Sequence, residues 1–375
     1  MTPALPFRHV RPRLSASTTE PPEILRHMSG PNLVPVREAH RLDEAALSAY
    51  LADRLPDFDP ADLEILQFEG GQSNPTYMLK SAGRRYVLRK KPPGKLLPSA
   101  HMVEREYRFI AGLADTDVPV APARLLCEDA GIIGTAFYVM DYVEGRVLTD
   151  PTLPGLGSDE RRATYDELNR VMAALHSVDF TAAGLADMGK ATDYMARQIG
   201  RWSKQYEATK THEIPAMDRL IAWLPANIPA DDSVSIAHGD YRIANVIYHP
   251  TEPKILAVLD WELATIGHPL ADFAYNAMFY SLPAGDEGFP GLGGIDLGSI
   301  GVPTEDEYVA AYCRRTGRDG IDNWPFYKAF AMFRLAAILQ GVYHRGITGN
   351  ASSERAKVVG ARASLLAELG WQQVS

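Results

Sequence analysis

Apolar positions recur at helical spacing between Leu42 and Leu55, where Leu47, Tyr50, Leu51 and Leu55 share one face. The next segments change period. "LEILQF", "TYMLK" and "RYVLRK" read as strands, and the "SAGR" between the last two is hairpin-like. Pro92 and Pro93 end the third strand, because proline cannot donate to a ladder. A helix follows with Ser99 as its N-cap and Val103, Tyr107, Ile110 and Ala114 at helical spacing. "ARLLCED" and "AFYVMDYV" are two further strands. The pattern predicts a small antiparallel α+β lobe of five strands with one inserted helix.

After Gly145 the helical period dominates. Ser158-Asp159-Glu160 opens a long helix with acids in its first turn, which suits the helix dipole. Leu168, Val171, Met172 and Leu175 line one face, and His176 beside them reads as a satisfied core or capping histidine. "VSIAH", "NVIYH" and "ILAVLDW" are short strands, and helices resume after Pro269. Thr304 to Glu307 is a capping box that opens a helix through Tyr312, with Gly317 as its stop. Trp324 to Tyr343 is apolar nearly all round and predicts a core helix. Ser281 to Pro303 contains seven glycines, breaks the G-x-G-x-x-G pattern at Asp296, and reads as a mobile surface loop. The predicted fold is an α+β, two-lobed one. Residues 1–40 form an arm, 41–143 a β-rich N-lobe and 144–375 a larger, mainly helical C-lobe, joined by a connector near Met140 to Gly145.

Length agrees with two lobes, since 375 residues exceed one small core. The net charge of −9 and the lack of a basic stripe exclude a general nucleic-acid binder. Two cysteines, Cys127 and Cys313, are too few for a disulfide framework and point to a reducing, cytoplasmic setting. No apolar run approaches a membrane span. The stretch "FRHVRPRLSASTTE" is basic like a transit peptide but lacks an amphipathic apolar face, so it reads as a surface arm.

The chemistry concentrates in "IAHGDYRIANVIYH". An apolar strand runs into His238-Gly239-Asp240, and Asn245 follows. Phosphoryl transfer needs a carboxylate to take the proton of the attacking hydroxyl, oxygen ligands for Mg²⁺, and a cation on the phosphates. Asp240 supplies the first. Asn245 and Asp260, at the end of the strand "ILAVLD", supply the second. In the small lobe, Gly70 and Gly71 let backbone approach phosphate, and Ser73 and Asn74 can donate to it. Strand alternation puts Val87, Arg89 and Lys91 on one face. Arg89 is the first candidate for the phosphate cation and Lys91 the second. Glu106 is the expected ion-pair partner of Arg89, with Glu104 competing.

"HGDYRIAN" and "VLDWELATIGHPLADFAY" resemble the catalytic and metal motifs of the aminoglycoside phosphotransferase (choline kinase-like) branch of the protein-kinase-like fold. The resemblance runs from about Leu63 to Tyr343. "YVLRKKPPGKLLPSAHMVEREYR" is similar to the kinase-like domain fused to, or encoded beside, acyl-CoA dehydrogenases. The resemblance implies ATP and Mg²⁺ as cofactors, Asp240 as catalytic base, and Asn245 and Asp260 as metal ligands. It implies Glu106 paired with the strand cation, and adenine bound by the backbone of Met140, Asp141 and Val143. His238 and Asp272 would support the catalytic loop. The family carries Lys where this chain has Arg89. Arginine can fork onto phosphate oxygens, so nucleotide binding is compatible with the change.

The expected function is transfer of the γ-phosphate to a hydroxyl of a small molecule, either a hydroxyacyl compound or an aminoglycoside-like acceptor. A functional link to acyl-CoA dehydrogenases is expected, with Lys95 and Arg105 as basic residues for a CoA thioester. Two rivals carry different predictions. A non-catalytic module would bind ATP without turnover. A metal-dependent hydrolase would use His238, Asp240, His249 and Asp260 as ligands.

Overall fold

Burial of alternate side chains organises the first lobe. The computed structural model describes residues 32–69, 74–92, 101–285, 289–348 and 356–375. Its N-lobe holds β1 (Leu33–Val34), α1 (Glu44–Ala52), β2 (Glu64–Phe68), β3 (Thr76–Ser81), β4 (Arg84–Lys90), α2 (Val103–Gly112), β5 (Ala123–Cys127), α3 (Ala130–Ile133) and β6 (Phe137–Asp141). The strands form one antiparallel sheet in the order β1-β2-β3-β4-β6-β5. β1 is a sixth strand beyond the five expected, and its two residues carry too little pattern to be read. Tyr77, Leu79, Tyr86, Leu88, Phe137 and Val139 pack on the α1 side with Leu47 and Leu51. The opposite face meets α2. That helix begins at Val103 with Met102 as its N-cap, so the expected Ser99 cap lies outside the described residues.

The C-lobe continues with α4 (Ser158–Ser177), α5 (Tyr194–Thr209), α6 (Pro215–Ala226), β7 (Ser235–Ala237), β8 (Val246–Tyr248), β9 (Ile255–Val258), β10 (Thr265–Gly267) and α7 (Pro269–Ala277). It ends with α8 (Leu297–Ile300), α9 (Glu305–Thr316), α10 (Trp324–Ile347), α11 (Ala356–Gly360) and α12 (Ala363–Gln372). Two small antiparallel pairs, β7 with β10 and β8 with β9, carry the loops of the opening motif. α10 is the buried axis of the lobe, as its all-round apolarity predicts. The Thr304–Glu307 capping box and the Gly317 stop of α9 are formed as read. The glycine-rich segment differs from its expectation. Its described part is folded inward, with Leu292 and Val302 buried and α8 inside it. Close backbone packing against Leu282 requires glycine at Gly291.

The N-lobe has its own core on the α1 side, and a second, larger core joins α2 and Tyr138 to the C-lobe. Phe109 of α2 stacks on Trp261, ring centroids 6.1 Å apart and nearly parallel, so the N-lobe helix rests on the segment following Asp260. The connector is pinned as well. Arg146 and Tyr248 exchange two backbone hydrogen bonds of 2.8 Å. A Cβ on Gly145 would lie 2.2 Å from the Tyr248 carbonyl oxygen. Gly145→Ala is therefore expected to force this strand contact apart and cost about 2 kcal/mol, read by chemical denaturation.

Candidate active site

β7 and β10 hold the catalytic loop from below. Asp272, buried in the first turn of α7, accepts the backbone N–H of His238 at 2.6 Å through Oδ2 and that of Gly239 at 2.8 Å through Oδ1. Two adjacent N–H groups on one carboxylate fix the loop's orientation. Gly239 has φ +83°, and a Cβ there would lie 2.9 Å from the Leu263 carbonyl, so glycine is required at this turn. His176 reaches over from α4. It lies 3.3 Å from Asp272 Oδ2 through Nε2 and 2.6 Å from the Tyr312 hydroxyl through Nδ1. Burial works against the Asp272 charge. The hydrogen bond and charge of His176, with help from His238 and Gly239, still hold its carboxyl below the usual carboxylate range. His176 is thus a satisfied core histidine, yet its partner supports the loop.

Asp240 emerges from this platform with both carboxylate oxygens oriented. Asn245 Nδ2 donates to Oδ2 at 2.8 Å and to the Asp240 backbone oxygen at 2.8 Å. The Tyr275 hydroxyl donates to Oδ1 at 2.6 Å, and Arg242 Nε stands 3.5 Å from the same oxygen. Burial, with the Asp240 charge adding to it, pushes the Tyr275 hydroxyl well above its ordinary pKa, so it stays protonated and donates. With its amide committed to Asp240, Asn245 keeps its Oδ1 free of any protein donor among the described residues.

The second metal candidate is tied to the first through backbone. The Leu259 N–H donates to the Asn245 carbonyl at 2.8 Å, and the His238 Nε2 lies 2.8 Å from the Leu259 oxygen. Asp260 follows with φ 64° and ψ 58°. This left-handed conformation is uncommon for a non-glycine residue and turns the carboxylate out of the strand line toward the N-lobe. There it meets Arg89, whose Nη2 is 3.3 Å from Asp260 Oδ1 and 3.8 Å from Glu262 Oε2.

Arg89 itself is anchored by Glu106. Its Nε lies 3.0 Å from Glu106 Oε2, close as a charge pair but not aligned as a hydrogen bond. Glu106 is 1% exposed; Tyr138 donates to it at 3.1 Å and Asn74 at 2.7 Å. Burial pushes Glu106 above the usual carboxylate range, while the Arg89 guanidinium acts the other way. The competing pair forms too, Lys91 binding Glu104. Of the two candidate cations, Arg89 is the one in contact with Asp260. Arg89→Met is expected to leave Glu106 buried without its charge partner and to lower stability by about 3 kcal/mol in a denaturant titration.

Other expectations fare differently. Asn74, read as a phosphate donor, is fully buried and spends its amide on Glu106, with His101 at its Oδ1. It braces the ion pair instead. Gly70, Gly71 and Ser73 lie outside the described residues, as does Lys95. In the connector, the Asp141 N–H is used by Pro122 and the Tyr142 N–H by Arg85, and the Asp141 side chain holds Arg124. Met140 pairs with Val87 in the sheet. The Val143 N–H has no protein acceptor among the described residues. Arg105, expected near a CoA thioester, instead ties the lobes by donating to the carbonyls of Met188 and Ala264. The hydrolase ligand set does not assemble. His249 Nδ1 accepts the Thr251 and Glu252 N–H groups of its own turn. No group of three or more His, Cys, Asp or Glu able to hold a metal occurs among the described residues.

Beside the loop that follows Asp240 lies a small pocket of about 50 Å³, walled by Tyr165, Phe279, Tyr280, Phe289, Leu292 and Tyr308. Among the described residues, Arg242 is its one charged lining residue and no carboxylate lines it. The Tyr280 hydroxyl and Arg242 Nε are both enclosed without a hydrogen-bond partner. Tyr275 and Arg242 were not singled out from sequence. Tyr275 had a signal, standing one helical turn after Asp272 on the same face of α7.

A small antiparallel lobe over a helical lobe, with an acid–amide pair at the catalytic loop and a strand arginine opposite, defines a kinase-like phosphotransferase architecture. A sequence model of the phosphotransferase enzyme family matches residues 64–330, and the chain belongs to that family. A mouse (Mus musculus) protein named acyl-CoA dehydrogenase family member 10 is 48% identical over 348 residues, covering 92% of this chain but 32% of its own length. The chain therefore spans about a third of that relative. A solved Ralstonia eutropha structure, assigned by name to the aminoglycoside phosphotransferases, is 49% identical with TM-score 0.82, covering 89% of this chain and 98% of that one. Choline kinase from Cryptosporidium parvum shares the fold at 11% identity and TM-score 0.59, covering 87% of this chain and 96% of that one. So does aminoglycoside phosphotransferase APH(4)-Ia, at 16% identity and TM-score 0.56 over 88% and 99%, whose structure is a ternary complex with AMP-PNP and hygromycin B. No helix among the described residues is long and apolar enough to cross a membrane.

Proposed function

We propose that the protein is an ATP- and Mg²⁺-dependent phosphotransferase that moves the γ-phosphate onto a hydroxyl of a hydroxyacyl compound. The observation carrying this reading is the single hydrogen-bonded unit of Asp240, Asn245 and the Leu259–Asp260 strand end, facing Arg89. Asp240 accepts the proton of the acceptor hydroxyl as that oxygen bonds to the γ-phosphorus and ADP leaves. Asn245 Oδ1 and the Asp260 carboxylate are hard oxygen donors of the kind that would hold Mg²⁺. The ion, when bound, neutralises charge on the transferring phosphates. Arg89 grips the phosphates that stay behind, and the Val143 N–H is the free connector donor for adenine beside Met140 and Asp141. In this reading residues 41–143 are the nucleotide lobe and 144–375 the catalytic and acceptor lobe, preceded by the arm 1–40. The nucleotide complex of the APH(4)-Ia neighbour supports a nucleotide donor.

The character of the pocket lining supports one choice of acceptor over the other. A polycationic aminoglycoside calls for carboxylates, whereas the described walls are aromatic and carry one arginine. That lining suits an acyl chain with a carbonyl or carboxylate. The name of the mouse relative supports the same choice and a functional link to acyl-CoA dehydrogenases. The test incubates the protein with Mg²⁺ and γ-labelled ATP against hydroxy acids, their CoA thioesters and aminoglycosides. Labelled hydroxyacyl phosphate with equal ADP is expected. Label on aminoglycosides alone would overturn the acceptor, and ATP binding without turnover on any acceptor would favour a nucleotide-binding module.

A further inference from the structure

Close to the catalytic loop, α10 presents a buried cation with no assigned task. Arg334 is 8% exposed. Its guanidinium sits 5.2 Å from the Tyr275 ring centroid and 5.7 Å from that of Trp202. Its Nη2 is 3.4 Å from the point where a Cβ on Gly239 would lie, one residue before Asp240. It makes no hydrogen bond or ion pair with any described residue. None of its nitrogens is among the fully enclosed unpartnered atoms, so the little surface it keeps includes them.

Taking a guanidinium out of water is unfavourable unless its donors are used. Two aromatic faces offset part of this. They orient the plane and leave all five N–H donors unspent. The other buried arginine of the site, Arg89, is surrounded by three carboxylates. Arg334 has none. The Tyr275 that underlies it is the same residue whose hydroxyl holds Asp240, so the free fork and the base are set by one side chain.

We propose that Arg334 is the acceptor-recognition residue, its guanidinium binding an acyl oxygen of the substrate whose hydroxyl faces Asp240. The inference rests on the phosphotransferase reading for which molecule arrives, and on the free guanidinium for how it is held. The acyl oxygen belongs either to a free carboxylate or to a thioester carbonyl. Both accept from a guanidinium fork, the carboxylate with two oxygens.

Acceptor binding measured by calorimetry without ATP tests this apart from catalysis. The probes are chain-matched 4-carbon to 8-carbon hydroxycarboxylates, their CoA thioesters, and the corresponding diols, which lack the acyl oxygen. The native protein is expected to bind acid or thioester at least tenfold more tightly than the diol, and whichever of the two is preferred identifies the oxygen's source. Arg334→Gln should abolish that preference, and Arg334→Lys should restore part of it. Equal binding of acyl compound and diol by the native protein overturns the proposal and requires no variant to fold. Retention of the preference by a folded Arg334→Gln protein also overturns it, as does loss of ATP affinity in place of acceptor affinity. Acyl selectivity in a protein that never transfers phosphate would leave the arginine's role standing and remove the kinase reading. Transfer without acyl selectivity would do the reverse.

Discussion

Asp240→Asn is expected to lower turnover about a thousandfold while the protein stays folded and binds ATP as before. The substitution changes little in shape. Asn245 and Tyr275 both donate to the native carboxylate, at 2.8 and 2.6 Å, and an amide oxygen can keep one of these bonds. The stability change should therefore stay within about 1 kcal/mol. What is lost is the negative charge that, in the proposed function, orients and accepts the proton of the attacking hydroxyl. Steady-state kinetics should show kcat falling with the ATP KM unchanged, the pattern of an interaction made in the transition state. Thermal melting of the same sample checks the fold. Full turnover by a folded Asp240→Asn protein would remove Asp240 from the chemistry.

The largest effect on stability is expected at Asp272. Asp272→Ala strips the acceptor from two backbone N–H groups and from His176, all deeply buried, and opens a cavity at the base of the catalytic loop. Leaving such groups unpaired is expected to cost about 4 kcal/mol. In a melt this is a fall on the order of 10 °C. Activity should drop with it, because the orientation of His238 and Gly239 sets that of Asp240. The contribution has a defined pH dependence. The folded carboxyl is held below its ordinary value of 3.8, so the unfolded state binds more protons around that pH. The stabilisation is fully present above that value and is lost as pH falls through the folded pKa. Denaturant midpoints for native and variant should run parallel from neutral pH down to about 4 and converge below it. A constant gap down to pH 3 would contradict the assigned network.

The grouping of Asp240, Asn245 and Asp260 was legible because its spacing is local. A strand that ends in His-Gly-Asp, a short hairpin and a second strand ending in Asp260 leave the chain few ways to separate these groups. The Arg89–Glu106 pair was legible for a similar reason, since strand alternation puts Arg89 on the face that the next helix must cover. Asn74 shows the limit. Its composition suits a phosphate loop, yet the nearest buried carboxylate, Glu106, claims its amide, and that claim depends on where α2 lands. Arg105 fails as a ligand candidate for the same reason, its donors being consumed by carbonyls from distant parts of the chain.

Sequence alone determined the two-lobed α+β order, the helix caps around Thr304 and Gly317, and the closeness of the Asp240, Asn245 and Asp260 motifs. These follow from periodicity, capping and residue type over short separations, where backbone geometry leaves little choice. Tertiary structure decided what surrounds them: Tyr275 on Asp240, His176 behind Asp272, the aromatic pocket beside Arg242 and the unpaired Arg334 over Tyr275. Those contacts join helices far apart in the chain. Their energy comes from burying one polar group against another, which no local pattern of residues encodes.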